Sequence, residues 1–150
     1  MIDTTESFLD NNQRIKLKEI LTKICLNYQI EIIEQTKKQE TQKNNIDIYN
    51  KFISSKEIEG CSTRTLNYYK DNITKMLDTV NLSISEITTE ILRNYLADYK
   101  SNSNAGMVTI DNIISTLSSF FAWLENKDYT VKSPVRRIHK VKATKKVKKL

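Results

Sequence analysis

An all-α fold is what this sequence predicts, and three observations predict it. Only two Gly and one Pro occur in 150 residues, too few for the turns and phosphate loops of a β-sandwich or a Rossmann-type sheet. Apolar residues recur at steps of three and four over long stretches, the helical period. A composition of 39% hydrophobic, 28% charged and 8% aromatic residues suits one compact domain with short appendages and leaves no room for two large ones.

The first element predicted is an amphipathic helix from about Asn11 to Thr36, carried by Ile15, Leu17, Ile20, Leu21, Ile24, Tyr28 and Ile32. The stretch QTKKQETQKNN, residues 35–45, has no apolar residue and reads as a frayed helix end and linker that contributes nothing to a core. A second unit then begins near Ile46. Ile48, Tyr49, Phe52 and Ile53 mark a short helix that ends near Gly60, a plausible C-cap region. Ser62 or Thr63 can cap the next helix, with Leu66, Tyr69, Ile73, Met76, Leu77 and Val80 on one face. NLSIS reads as a loop. Thr88 or Thr89 starts a third helix burying Ile91, Leu92, Tyr95 and Leu96, and SNSNAG reads as the loop after it.

The clearest periodicity belongs to the last helix, through Ile110, Ile113, Ile114, Leu117, Phe120, Phe121 and Leu124. Its outer face carries Asn112, Ser115 and Ser119, short and uncharged where a merely solvated helix would carry Lys and Glu. Such side chains let a phosphate chain approach closely, though they also suit a plain tolerated surface. The bundle over residues 46–131 is expected to centre on Phe52, Leu66, Tyr69, Ile73, Ile91, Tyr95, Ile113, Leu117, Phe120 and Phe121.

The net charge of +6 is concentrated in one place. Residues 1–50 carry 7 basic and 8 acidic groups and residues 51–131 carry 8 and 10, whereas residues 132–150 carry 9 basic groups and no acidic one. A tail of this kind binds nucleic acid or is a solvated linker. Two cysteines without CxxC spacing and a single histidine, His139, support neither a disulfide framework nor a metal site. A reducing cytoplasm is the default compartment. No uncharged apolar run approaches the ~18 residues of a membrane span, and the N-terminus lacks a signal-peptide pattern, so neither export nor membrane insertion is expected.

Two motifs carry a resemblance. STRTLNYYKDNI is similar, through Ser62, Thr65, Leu66 and Tyr69, to the Ser-x-x-Thr-apolar-x-x-Tyr stretch of the tyrosine recombinase, or phage integrase, family. TIDNIISTLSSFFAWLENKDYTVKSPVRRIHKVK resembles that family's Thr-Ile, Ser-x-Leu-x-Ser-Phe-Phe-x-Trp-Leu and Pro-Ile-Lys sequence through Thr109, Ile110, Ser115, Leu117, Ser119, Phe120, Phe121, Trp123, Leu124, Pro134, Ile138 and Lys142. The resemblance covers residues 46–150, with departures at Asn72, Asn112 and Ser133. It implies a four-helix SAM-like core-binding domain over 46–131, preceded by an N-terminal helix and polar linker over 1–45. A basic linker over 132–150 would then lead toward a catalytic domain.

In that family the core-binding and catalytic domains clamp a DNA half-site during integration and recombination of mobile genetic elements. The resemblance therefore implies double-stranded DNA as the partner, with other recombinase protomers as further partners. Thr63, Arg64, Thr65, Tyr68, Thr109, Asn112 and Ser115 would meet phosphates and base edges at the starts of two helices. Lys140, Lys142, Lys145, Lys146, Lys148 and Lys149 would cross the duplex. No cofactor, metal, membrane or small-molecule ligand is expected. Catalysis is not expected of these residues either: Tyr49, Tyr69 and Tyr95 read as core, and His139 as solvated or phosphate-adjacent. A free-standing helical DNA-binding regulator and a protein-interaction module, with the first helix as a dimer seam, stay open as alternatives.

Overall fold

The computed structural model of the chain describes residues 10–138. Among them are four α-helices, α1 (Asn11–Ile58), α2 (Thr63–Val80), α3 (Thr89–Ser103) and α4 (Met107–Asn126), with 3-10 turns at Ile84–Glu86 and Pro134–Arg137. By its contacts the chain divides between Glu40 and Thr41 into two units.

The first unit differs from expectation at its end. Residues 35–45 are helical, not a linker, because α1 runs without a break from Asn11 to Ile58. The stretch holds no Gly or Pro, and most of its side chains are straight-chain types that lose little freedom in a helix. With helix already formed on either side, no new nucleus is needed. Within residues 11–40 the large apolar side chains, among them Leu17, Ile24 and Tyr28, are all exposed.

The second unit is the helical bundle. Phe52 of α1, fully buried, is its hub: Tyr69 of α2 lies 5.7 Å away between ring centroids, Phe120 of α4 5.1 Å and Trp123 5.6 Å, the last two edge-on. Leu66, Ile73 and Met76 of α2, Leu92, Tyr95 and Leu96 of α3, and the apolar face of α4 complete the core. Of the expected centre, Tyr69 and Ile91 are only half-buried. α4 is long and apolar enough to cross a membrane, but Ile113, Leu117, Phe120, Phe121 and Leu124 spend that apolarity on the core.

Caps punctuate the bundle where short polar side chains stand. α1 closes in a Schellman motif: Gly60, at φ +83°, donates its N–H to Glu57 O and Cys61 donates to Lys56 O. Ser62 caps α2 and Thr88 caps α3, each side chain accepting from the backbone N–H three residues on. Asn81 and Asn104 end α2 and α3 in the left-handed region. The first half of the expected SNSNAG loop is therefore helix, with α3 continuing to Ser103.

Two more corrections concern polar segments. Asn45, placed in the expected linker, is buried: its Nδ2 donates to Leu82 O at 2.8 Å and its Oδ1 accepts from Ile84 N at 3.1 Å. It pins α1 to the segment read as the NLSIS loop, where Ile84 is buried in a 3-10 turn beside a Ser83–Glu86 capping box. The start of the expected basic linker is likewise part of the fold, since Pro134 and Val135 are buried.

The contacts also fix helix directions. Ser55, near the end of α1, accepts from Trp123 Nε1 near the end of α4, at 3.2 Å. Gln42, sixteen residues before the end of α1, donates to Asn81 at the end of α2. Lys75 of α2 sits 4.6 Å from the ring centroid of Tyr99, late in α3. Hence this part of α1 runs with α4, while α2 and α3 run against both. One end of the bundle gathers the starts of α2 and α3 with the ends of α1 and α4; the other gathers the start of α4 with the ends of α2 and α3.

Candidate nucleic-acid interface

The residues expected to meet DNA fall into two patches, which the antiparallel run of α2 and α4 sets at opposite ends of the bundle. At the α2 end, Thr63 and Arg64 are exposed, Tyr68 is partly exposed, and Thr65 is half-buried with its hydroxyl 2.9 Å from the capping Ser62 Oγ. The first turn of α2 has no acidic residue. Arg64 makes no ion pair among the described residues. An uncapped guanidinium beside the positive end of a helix dipole suits a phosphate.

At the α4 end, Thr109, Asn112 and Ser115 are exposed, as expected. The Ser115 hydroxyl donates back to Asp111 O at 2.9 Å, which leaves its oxygen free only to accept. Three neighbours make this patch less suited to a polyanion than its sequence suggested. Asp111, four residues before Ser115 and so on the same helix face, carries a buried carboxylate oxygen with no hydrogen-bond partner. Met107 and Val108, 46% and 70% exposed, form an apolar lip at the helix start. The helical spacing of Asp111 and Ser115 carried that signal in the sequence; the exposure of Met107 and Val108 did not show there.

The root of the basic segment is anchored at the α2 end. One carboxylate, that of Glu125 in α4, accepts from the Ser133 backbone N–H through Oε2 and from Arg136 Nη2 through Oε1, both at 2.9 Å. Thr89 Oγ1, at the start of α3, donates to Pro134 O at 2.7 Å, and Arg93 Nη2 donates to Arg137 O at 3.2 Å. Glu125 and Arg93 were not singled out in the sequence, because these bonds span from 8 to 45 residues. Lys140, Lys142, Lys145, Lys146, Lys148 and Lys149, with His139, lie outside the described residues.

Among the described residues no group of His, Cys, Asp and Glu is gathered that could hold a metal ion. Cys25 and Cys61 are both free thiols. A cleft of about 250 Å³ opens between α1 and α2 beside Asn45, Tyr49, Leu77 and Asp78, at the end away from Arg64, and no Lys, Arg or His lines it.

Residues 48–131 match the family described as phage integrase, N-terminal SAM-like domain. Among solved structures, the integrase from mycobacterium phage Brujita is similar in fold, with a TM-score of 0.59 at 19% sequence identity. The likeness covers 69% of this chain and 35% of that one, so the chain matches about a third of the length of that integrase. No curated protein matches the sequence.

Proposed function

Because the chain belongs to the phage integrase family through its N-terminal SAM-like domain, we propose that residues 46–131 are the core-binding part of a tyrosine recombinase, holding a duplex half-site without cutting it. The observation that carries this reading is the coincidence at one end of the bundle. The acid-free start of α2, with Thr63, Arg64, Thr65 and Tyr68, shares that end with the Glu125-anchored root of the segment that carries nine basic groups. In this reading the α2 start and Lys140, Lys142, Lys145, Lys146, Lys148 and Lys149 supply the main phosphate contacts. Thr109, Asn112 and Ser115 add a second, weaker patch. At ~1.5 Å rise per residue the two patches lie at most about 27 Å apart along the bundle, the length of the 18-residue α2 and less than one ~34 Å turn of B-DNA, so one duplex can meet both.

Strand cleavage is assigned to none of these residues. Tyr95 is buried, and Tyr49 and Tyr69 are half-buried against the core, which leaves none of the three open to a duplex. The domain's part is to position the duplex, with helix starts and basic side chains fixing register on the backbone.

The test is a titration of a duplex across several salt concentrations. Each lysine that neutralises a phosphate contributes ~0.9 to the slope of log K against log salt, so changing Lys145, Lys146, Lys148 and Lys149 to Gln should flatten it by ~2–4. Arg64→Ala should remove about one more unit. Ser115→Glu should weaken binding by less than Arg64→Ala does. Unaltered slopes in the first two variants, with the bundle still folded, would overturn the proposal.

A further inference from the structure

The first half of α1 carries ten large apolar side chains that are 45–66% exposed, and they are not scattered. At 3.6 residues per turn, Leu17, Ile20, Leu21, Ile24, Tyr28 and Ile32 fall within about 120° of arc, while Ile15, Leu26, Ile30 and Ile33 form a narrower stripe on the opposite side. Charge is divided along the same segment. Residues 11–24 hold Arg14, Lys16, Lys18 and Lys23 against Glu19 alone, a balance of +3; residues 25–36 hold Glu31 and Glu34 and no basic group, a balance of −2.

We propose that the wide stripe pairs with the same stripe of a second copy of this chain, the two helices running antiparallel about a two-fold axis beside Ile24 and Cys25. An antiparallel pair sets each basic half against an acidic half, whereas a parallel pair stacks like on like. In this register Leu17 faces Ile32 of the second copy and Leu21 faces its Tyr28, while the two Cys25 lie within one residue of level on one flank of the axis. Lys16 and Glu34 sit at the same angle around the helix, eighteen residues apart, so each meets the other across the seam on one flank. The contact is isologous and closes at two copies.

The size is adequate for a reversible dimer. Six half-exposed side chains offer on the order of 500 Å² per copy, and the stems of Lys16, Lys23, Glu31 and Glu34 bring the total toward the ~800 Å² per partner of a standard interface. The pairing stands apart from the DNA-binding reading, since no residue at the start of α2 or in the basic segment takes part.

Sedimentation equilibrium of the full chain, without DNA, tests it. A concentration-dependent dimer is expected. Lys16→Glu and Glu34→Lys should each raise its dissociation constant about threefold to tenfold, each breaking two symmetry-related pairs, and the double variant Lys16→Glu/Glu34→Lys should return to within about twofold of the parent. Leu21→Glu/Ile24→Glu should leave monomer with the bundle's melting transition unchanged. In a Cys61→Ser background, mild oxidation should cross-link Cys25 to Cys25. A monomer at the highest concentration reached, or a double swap weaker than either single, would overturn the proposal; the swap residues lie outside the stripe, so the outcome does not depend on how the Leu21/Ile24 variant folds.

Discussion

The two halves of α1 share one helix and much the same supply of apolar residues, yet they have opposite fates. In residues 11–40 every large apolar side chain is exposed, whereas in residues 41–58 Ile48, Phe52 and Ile53 are exposed by 6% or less. Helix propensity does not separate them, since the backbone is helical throughout. Arrangement does. In the second half the buried residues Asn45, Ile48 and Phe52 follow one face at steps of three and four, and α2 and α4 supply rings against it. In the first half two apolar stripes point opposite ways, so no single neighbouring layer could bury both. Helix formation is a local affair, and burial needs a partner of matching shape.

The largest expected effect tests that difference directly. Phe52→Ala should cost ~3–5 kcal/mol in a urea titration, because a fully buried aromatic at the hub leaves a cavity among Tyr69, Phe120 and Trp123. Ile24→Ala, measured at a concentration where the chain is monomeric, should change stability by less than ~0.5 kcal/mol. If the two losses were similar, the halves would not differ as their exposures say.

A smaller contrast separates polar residues of the same helix. Asn45→Ala should cost about 2 kcal/mol, since it strands Leu82 O and Ile84 N at a buried site. Asn27→Ala, on the exposed first half, should be neutral within ~0.5 kcal/mol. A neutral Asn45→Ala would mean that the Asn45 bridge does not hold the turn at Ile84.

How legible these features were follows from the range of the interactions. The faces of α2 and α4, the capping Ser62 and the break at Gly60 depend on residues within one or two turns, and they were readable from spacing alone. So were Thr63, Arg64 and Thr109 as exposed helix starts. Asn45 was misread because nothing local marks a buried polar residue; its partners lie 37 and 39 residues away. Val135 and Glu125 were missed for a related reason: the surrounding run of Lys and Arg outweighed the short anchor at its root. The continuity of α1 was obscured by composition, because a polar stretch without Gly or Pro is a poor core but an adequate helix.

The smallest expected effect is in pH, and it belongs to the second unit. Burial, helped by the neighbouring Tyr99, pushes the Tyr95 phenol from 10.0 up to about 12. The unfolded chain therefore loses that proton first. Above pH 10 it binds fewer protons than the folded chain, so stability is full below about 10 and falls as pH rises toward 12. At pH 11 the loss is about 1 kcal/mol, one unit of difference at ~1.4 kcal/mol per unit. Tyr95→Phe keeps the ring in the core and removes the ionisable group. Urea midpoints of parent and variant, compared at pH 9 and pH 11, isolate the effect from other groups titrating in both. The parent should lose the additional ~1 kcal/mol between those values, and Ile24→Ala should show the same additional loss as the parent, because residue 24 lies in the other unit. Parallel decline of parent and Tyr95→Phe would mean that the phenol is hydrated in the folded chain, and that the core closes less tightly around α3 than around Phe52.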